Sequence, residues 1–600
     1  MNVKTSLEMS KDINKPEQLI TEHIDIWTSS ILAKSTSGRG NSKKYELYGI
    51  SKLRELILEL AVRGKLVPQD ANDEPASGLL EKIAAEKTKL LEDGGIKKAK
   101  KLKKIDEDEK PFVIPPEWEW IRLGSIANTN TGYAFKSREY KDKGVFVLRV
   151  TNINQDGSID IKDSKFISEQ EASTVYKKFQ LSTGDVLLVM VGGSLGKIGI
   201  VSDDVLPAVL NQNMWKLDTF GYLSRDYFIY GLRLINNNQL EITKSTHGHL
   251  SQVDYLTKLF PLPPLAEQHR IVAKVDELML LCDQLEQQTE ASIDAHATLV
   301  EVLLATLTDS ADADELAQNW TRISEHFDSL FTTEQSIDAL KQTVLQLAVM
   351  GKLVPQNPND EPASVLLEKI AEEKELLIKE KKIKPRKALP PIEDEEKLFD
   401  LPLSWEWCRL DDICDGITSG STPPKSSFID ETGIPYLKVY NIRNQKIDFE
   451  YQPQFIEEGY HSSSLKRSQL CPGDVIMNIV GPPLGKIAII PDTYPQWNCN
   501  QAIVMFRPFI SDLNKFIYTY LVSGMFLDKI ALIGTAGQDN ISVTKSRSIL
   551  LPIPPLAEQH RIIAKVDELM AICDQLKVKL QQSQQTQVQL TDALVDRALG

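Results

Sequence analysis

Pro261-Leu-Pro-Pro-Leu-Ala-Glu-Gln-His-Arg-Ile-Val-Ala-Lys-Val-Asp-Glu-Leu-Met279 returns almost unchanged as Pro552 through Met570. A second block behaves the same way: Leu60 to Lys87 returns as Leu347 to Lys374. The spacing, close to 290 residues, is far beyond any solenoid period, so the chain is a duplicated domain pair and not an array. The likeness also extends beyond these blocks. Ile20-Thr-Glu-His-Ile-Asp25 resembles Ile323-Ser-Glu-His-Phe-Asp328, and Ile50, Leu53, Ile57 and Leu60 match Ile337, Leu340, Val344 and Leu347 as one apolar helix stripe. Gly64 and Gly351 follow where a glycine ends such a helix, and the next residues, Lys-Leu-Val-Pro, cannot continue it.

Past Glu267 the periodicity predicts a long helix. Ile271, Val275, Leu278, Cys282 and Leu285 step by four and three, with Leu299 and Leu303 in the same register. The second copy gives Ile562, Val566, Leu569, Cys573, Leu576 and Leu580, then Leu590 and Leu594. That is a heptad seam with a polar middle (Thr289, Ser292 and His296 in the first copy). About 40 residues make a rod of roughly 60 Å. An antiparallel pair of such helices is the simplest way to bury both seams and to relate two units by a pseudo-two-fold axis. One framework is contiguous, over 265–397. Its counterpart is split between 556–600 and 1–110, so the repeat closes into a ring and the two termini are expected to meet.

The expected organisation is α+β. Residues 1–110 form a helical framework and linker, 111–264 a first mixed α/β insert, 265–397 a central helical region and linker, 398–555 a second insert, and 556–600 a helix that pairs with the central one. Lysine-rich and then acidic linkers, Lys97–Glu109 and Lys379–Glu396, read as solvated and mobile. Each delivers a Trp-Glu-Trp triplet, at 118–120 and 405–407, that opens an insert as an edge strand. Within the inserts, Val145–Val150, Ile434–Val439, Gly184–Met190 and Gly473–Ile479 read as strands, and Tyr222–Leu234 and Leu513–Phe526 as helices.

A length of 600 residues implies three to four domains. The polar N-terminus has no signal-like apolar core, and no apolar run approaches the roughly 18 residues of a membrane helix. Six cysteines without CxxC spacing point to a reducing compartment, the cytoplasm, and away from zinc. The net charge is −15, but the inserts are nearly neutral. Trp118–Phe260 carries 16 basic against 15 acidic residues, and Trp405–Leu551 carries 13 against 15. Neither has the strongly basic face of a stand-alone DNA-binding domain, so partners would share any phosphate contact.

Catalytic motifs are missing. Gly192-Gly-Ser-Leu-Gly-Lys-Ile198 and Gly481-Pro-Pro-Leu-Gly-Lys-Ile487 have the wrong spacing for a phosphate loop and lack the Ser or Thr after lysine, so each reads as a strand-to-strand turn. No methyltransferase cofactor loop or Asn/Asp-Pro-Pro-aromatic tetrapeptide occurs, and Pro491-Asp492 has no downstream Glu-x-Lys for a nuclease centre. His269 and His560 read as capping or packing residues at a helix head, and Cys282 and Cys573 as seam packing. No catalytic residue, metal site or cofactor is expected.

Three polar segments per insert are candidates for contacting bases or phosphates. The first offers Thr131, Tyr133, Lys136, Ser137 and Arg138, against Ser419, Ser421 and Lys425. The second is Asn211-Gln-Asn213 and Asn500-Gln501, whose coincidence in both copies favours a structural role. The third offers Thr246, His247 and His249, against Thr535, Gln538 and Asn540. Lys197 and Lys486, in the turns, are further phosphate candidates. Each has the plain alternative of being a polar loop residue.

The twice-written Pro-Leu-Pro-Pro-Leu-Ala-Glu-Gln-His-Arg block, the paired Gly-Asp-Val strands, the Gly-Lys-Ile turns and the Trp-Glu-Trp openings together resemble the specificity subunit of type I restriction–modification systems, over nearly the whole chain. The resemblance implies two target recognition domains, each reading one half of a bipartite, asymmetric site on double-stranded DNA, with the coiled coil setting the unread spacer. Readers one helical turn or so apart, about 34–36 Å, would fit on such a rod. It implies two modification subunits that methylate adenine with S-adenosylmethionine, and restriction/translocase subunits that use ATP and Mg2+. The cofactors would belong to those partners, this subunit would be non-catalytic, and no membrane would be involved. The alternative is a coiled-coil scaffold whose inserts bind protein or RNA.

Overall fold

The computed structural model describes residues 16–33, 45–96, 102–240, 250–311, 313–430, 432–481, 483–530 and 540–600. It divides into two units, Met1–Ala291 with Gln584–Gly600, and Ser292–Ser583.

In the first unit two short helices, Pro16–Thr21 and Ile24–Ser29, precede α1 (Tyr48–Val62) and α2 (Ala76–Glu92). The apolar stripe of α1 is buried as its spacing requires: Ile50, Leu53, Ile57 and Leu60 are at most 3 % exposed. Gly64 ends the turn with φ +69, and a Cβ there would strike the Pro115 ring at 2.4 Å.

The insert follows as β1 (Glu119–Arg122), β2 (Ala127–Thr131), β3 (Val145–Leu148), β4 (Phe166–Ile167), β5 (Val186–Val189), β6 (Ile198–Ile200), β7 (Ala208–Leu210), β8 (Met214–Thr219), α3 (Arg225–Asn238) and β9 (Leu259–Leu262). An antiparallel sheet has the order β2-β8-β5-β6, and a second has the order β4-β3-β7, with β3 and β7 parallel. The entering strand β1 pairs with the leaving strand β9, Trp120 opposite Pro261. β9 runs into α4 (Leu265–Asp309), whose first half belongs to this unit.

The second unit repeats the plan: α5 (Glu334–Val349), α6 (Ala363–Lys379), β10 (Glu406–Arg409), β11 (Cys414–Ser419), β12 (Phe428–Ile429), β13 (Ile434–Leu437), β14 (Phe455–Ile456), β15 (Gln469–Leu470), β16 (Val475–Asn478), β17 (Ile487–Ile489), β18 (Trp497–Cys499), β19 (Ile503–Pro508), α7 (Asn514–Ser523), β20 (Leu550–Ile553) and α8 (Leu556–Leu599). Its sheets are β11-β19-β16-β17 and β12-β14-β13-β18-β15, and β10 pairs with β20, Trp407 opposite Pro552.

Each unit takes the head of one long helix and the tail of the other. In the first, Tyr48 donates to Asp592 at 2.7 Å and Lys65 to the Leu599 carbonyl at 2.7 Å, so α1 runs parallel to the tail of α8. Arg54 pairs with Asp283 and Glu286, and Gln69 donates to Glu267, so α1 runs antiparallel to the head of α4. The two long-helix segments are therefore antiparallel. The second unit gives the same answer. Gln581 donates to Glu334, Lys341 pairs with Asp574 and Gln356 donates to Glu558, while His296 reaches the Ser329 carbonyl and Lys352 the Thr308 carbonyl. The framework of the first unit thus comes from both ends of the sequence, as the split repeat requires.

The seam departs from a strict heptad. Ile271, Val275, Leu278, Cys282 and Leu285 are buried, but Leu299 is 51 % exposed and the contacts pass to Val300, Leu304 and Leu307. In α8, Ile562, Val566 and Cys573 are buried and Leu569 and Leu576 partly so, but Leu590 is 47 % exposed and Thr591 is buried in its place. From 271 to 307 and from 562 to 598 the inward positions average 3.6 residues per turn. That is the period of an unstrained helix, which drifts off a 3.5 repeat within a few heptads.

Two more expectations are corrected and two are qualified. The first insert's helix starts at Arg225, not Tyr222, because Tyr222 has φ 52 and cannot begin a right-handed helix. β3 and β13 stop short of Val150 and Val439 because Asn152 and Asn441 accept from the backbone N–H three residues earlier, at 3.0 and 2.9 Å, and turn the chain. Most described linker residues are exposed, as expected of a solvated run, but the linkers are pinned at points: Arg122 donates to the carbonyls of Lys103 and Lys104 and pairs with Glu109, while Arg409 does the same to Pro390, Pro391 and Glu396. Finally, α4 is by length and mean hydropathy (1.2 over its most apolar 18-residue window) long and apolar enough to cross a membrane, although no uninterrupted apolar run announces it.

Candidate nucleic-acid interface

The duplicated Glu-Gln-His-Arg motif is a joint. Glu267 and Gln268 are buried, and so are Glu558 and Gln559. Glu267 accepts from the Trp118 indole at 2.9 Å and from Gln69 at 2.7 Å, tying the insert's opening and the framework turn to the head of α4. Arg270 holds Asp73 at 2.5 Å, as Arg561 holds Asp360 at 2.6 Å. Gln356 donates to Glu558, but the Trp405 indole and Glu558 Oε2 do not reach hydrogen-bond geometry. Burial pushes both glutamates above the ordinary carboxylate value, against the donors that favour the charged form. His269 and His560 lie exposed on the opposite side of the helix, so the capping or packing role expected of them falls to Glu and Gln.

A second joint positions the candidate segments. Gly132 and Gly420 carry the chain from one sheet to the other, and a Cβ on either would meet the carbonyl oxygen of Asn211 or Asn500 at 2.2 Å. Tyr133 N–H then bonds the Leu210 carbonyl at 2.9 Å, and Ser421 N–H the Cys499 carbonyl at 3.1 Å. Asn211 and Asn500 are committed through their backbone N–H groups, which bond the Leu148 and Leu437 carbonyls at 3.1 and 3.0 Å. Gln501 accepts from Thr422.

The register then brings the segments together. Thr131 lies opposite Trp215, and Met214 opposite Val189; Ser419 lies opposite Val504, and Ile503 opposite Asn478. In each insert the first segment, the Asn-Gln loop and the glycine–lysine turn therefore sit at one end of the four-stranded sheet. At the end of the third segment, which runs from Ser245 to Gln252, Leu250 N–H bonds the Met190 carbonyl at 2.9 Å and Gln252 donates to the Thr129 carbonyl at 2.9 Å. Asn540 bridges Val480, and Ile541 bonds the Ile479 carbonyl. Thr246, His247, His249, Thr535 and Gln538 lie outside the described residues.

Among the candidates, Thr131, Lys136, Ser137, Arg138 and Lys425 are exposed, and Ser419, Ser421, Asn540, Lys197 and Lys486 are half-buried. Tyr133 is largely committed to packing, its ring 4.8–5.4 Å from Tyr176, Phe135 and Phe179. Burial there pushes the Tyr176 phenol up to about 12. Ser421 accepts from Arg467 at 3.5 Å, and its carbonyl accepts from Tyr436 at 2.8 Å. Lys197 and Lys486 sit on hairpins between antiparallel strands, β5–β6 and β16–β17, with no helix behind them to form a phosphate loop. Among the described residues no group of three or more His, Cys, Asp or Glu side chains is placed to hold a metal ion.

What the sequence reading passed over is polar and buried. Asn152 and Asn441 fold back a loop in each insert, Asn152 onto the Asp160 carbonyl and Asn441 onto those of Asp448 and Tyr451. The repeated Val-x-Asn-Ile at 150–153 and 439–442 was the available signal. His461 bonds Gln496 at 3.1 Å and Asn498 at 3.0 Å, and it has no repeat partner to reveal it.

Two sheet-rich inserts on a duplicated helical frame, each gathering its variable loops at one sheet end, define a modular recognition protein. The model of the type I restriction modification DNA specificity domain matches this chain twice, over residues 115–295 and 402–583. The chain is 42 % identical over 612 residues to the type I restriction enzyme EcoEI specificity subunit of Escherichia coli, covering 97 % of this chain and all of that one. It is 40 % identical over 604 residues to the EcoAI specificity subunit of the same organism, with the same two coverages. A crystal structure of the HsdS subunit from Thermoanaerobacter tengcongensis is similar at 19 % identity and TM-score 0.41, covering 82 % of this chain and 98 % of that one. The chain belongs to the family of type I restriction–modification specificity subunits. It is a non-catalytic subunit that carries DNA recognition domains.

Proposed function

We propose that each insert reads one half of a bipartite, asymmetric site on double-stranded DNA, and that the length of α4 and α8 sets the unread spacer. The observation that carries this reading is the convergence of the divergent first segment, the Asn-Gln loop and the glycine–lysine turn at one sheet end of each insert, beside the described end of the third segment. In this reading the chain works in the cytoplasm with two modification subunits, which methylate adenine using S-adenosylmethionine, and with restriction subunits that translocate and cut DNA using ATP and Mg2+. It holds none of these cofactors itself. In this reading Thr131, Arg138, Ser419 and Asn540 contact base edges, and Lys136, Lys197, Lys425 and Lys486 contact phosphates.

The test is to map methylated adenines in DNA from a host that expresses the chain with its modification partner. A bipartite motif is expected. Replacing residues 111–264 with the insert of a relative should change one half of that motif only. Lengthening both long helices by matched turns should change the spacer and neither half. Absence of any bipartite methylated motif, with both proteins expressed, would overturn the reading.

A further inference from the structure

Four exposed cations recur at one register in the two inserts. Tyr176-Lys-Lys-Phe-Gln-Leu181 and Leu465-Lys-Arg-Ser-Gln-Leu470 each cross a short 3-10 turn, Lys177–Phe179 and Lys466–Ser468. Each turn lies against the first candidate segment. In the first insert Tyr176 and Phe179 flank the lysine pair and pack on Tyr133, and Tyr176 also packs on Phe135, the residue before Lys136, at 5.0 Å. In the second, Leu465 shares a small core with Tyr436 and Phe428, and Arg467 reaches Ser421.

Of the other recurring cations, Lys136/Lys425 and Lys197/Lys486 are the phosphate candidates named above, and several more are used by the fold. Arg122 and Arg409 clamp the linkers, Arg149 pairs with Asp163, and Lys438 lies over the Phe428 and Tyr440 rings. Lys177, Lys178, Lys466 and Arg467 have no acidic partner among the described residues; Lys178 has only a ring contact, 4.8 Å above Phe179. Nothing in the fold requires the positive charge at these positions, yet both inserts carry it. Two half-sites of different sequence share one chemical feature, the sugar–phosphate backbone.

We propose that Lys177–Lys178 and Lys466–Arg467 are sequence-neutral DNA phosphate contacts, one pair per insert, that set each reader on the duplex beside its base-contacting segment. The proposal rests on the DNA-reading function above. Near-neutral inserts fit it: a few fixed cations hold the register, and most of the remaining phosphate contact falls to partners.

The experiment measures binding of the complete modification complex to its methylation target, and to a duplex lacking it, across a range of salt concentrations. K177Q/K178Q and K466Q/R467Q are each expected to weaken binding to both duplexes by a similar factor. Each should flatten the slope of log affinity against log salt by roughly 2, since one lost phosphate contact removes about 0.9. The methylated motif should stay unchanged, and the charge-keeping pair K177R/K178R should behave as the parent does. An unchanged slope in both Gln variants, with the parent complex bound, overturns the phosphate assignment. A change confined to one half of the motif shows base reading and overturns it too. If the parent complex does not bind DNA, the function itself fails.

Discussion

The two inserts follow the same path with different interiors. At corresponding places the first buries Ala172 and Val209, where the second buries His461 and Asn498, hydrogen-bonded to each other and onward to Gln496. Where the first has Gly124, the second has Asp411 held by Arg386 and Arg547. Asp185 of the first pairs with Lys216, whereas the equivalent Asp474 pairs with Arg507, two residues further along the same strand face. The residues at the joints do not vary (Gly132 and Gly420, Asn152 and Asn441, Glu267 and Glu558), although only Glu267 bonds its tryptophan. A recognition module of this kind is therefore specified by its crossings, and the side-chain filling between them is free to diverge.

The largest effect should come from Asp411. Burial alone would push its carboxyl up, but Arg547 and Arg386 hold it below the ordinary value. D411A strands two partly buried guanidinium groups and should destabilise the second unit by about 3 kcal/mol or more, read by urea unfolding. The first insert has Gly124 at this place, and if G124A costs as much the contrast fails.

Next, G132A and G420A should each cost about 2–3 kcal/mol, because the obstructing atom is a backbone carbonyl that cannot turn aside. Equal losses would support a shared crossing, and a loss in only one insert would break it.

H461A should cost about 1–2 kcal/mol by removing one of the two acceptors of the buried Asn498 amide, which keeps only the longer bond to the Leu465 carbonyl at 3.3 Å. H461A/N498V, which copies the first insert, should recover about half, and simple additivity in the double-mutant cycle would refute the coupling.

The smallest effect is on pH dependence. Burial holds the His461 imidazole below its ordinary value of 6.5. The unfolded chain then binds more protons than the native one, so the second unit should lose stability as pH falls from about 6.5 through the native value. H461A should remove that slope, leaving a profile like that of the first unit, where Ala172 stands at the equivalent place.

Much of this architecture was legible in the sequence, because repetition exposes whatever both copies need. Ile50 and Ile337, Gly64 and Gly351, and the split frame could be read by laying the chain over itself. The later half of the seam could not, since Leu299 and Leu590 satisfy a heptad that a helix of 3.6 residues per turn does not keep. His269 drew attention as a titratable residue when the buried pair was Glu267 and Gln268, because sequence alone does not say which side of a helix head faces inward. The linkers read as solvated because charge runs usually are, and most of their side chains are exposed; what charge alone did not show is that Arg122 and Arg409, in the strand that follows each linker, pin them. For the recognition segments the divergence that marks them also removes the repeat as a guide, and five of the candidate residues lie outside the described structure.

The sharing of α4 and α8 has a consequence for biosynthesis. The first unit takes residues 584–600 as its last helical segment, so it cannot be completed until the whole second unit has been translated. The module made first is finished last. A chain released early, just short of residue 584, would leave α1 facing water along the side that Asp592 and Leu599 should cover, and proofreading by proteolysis would find the first unit open, not the second.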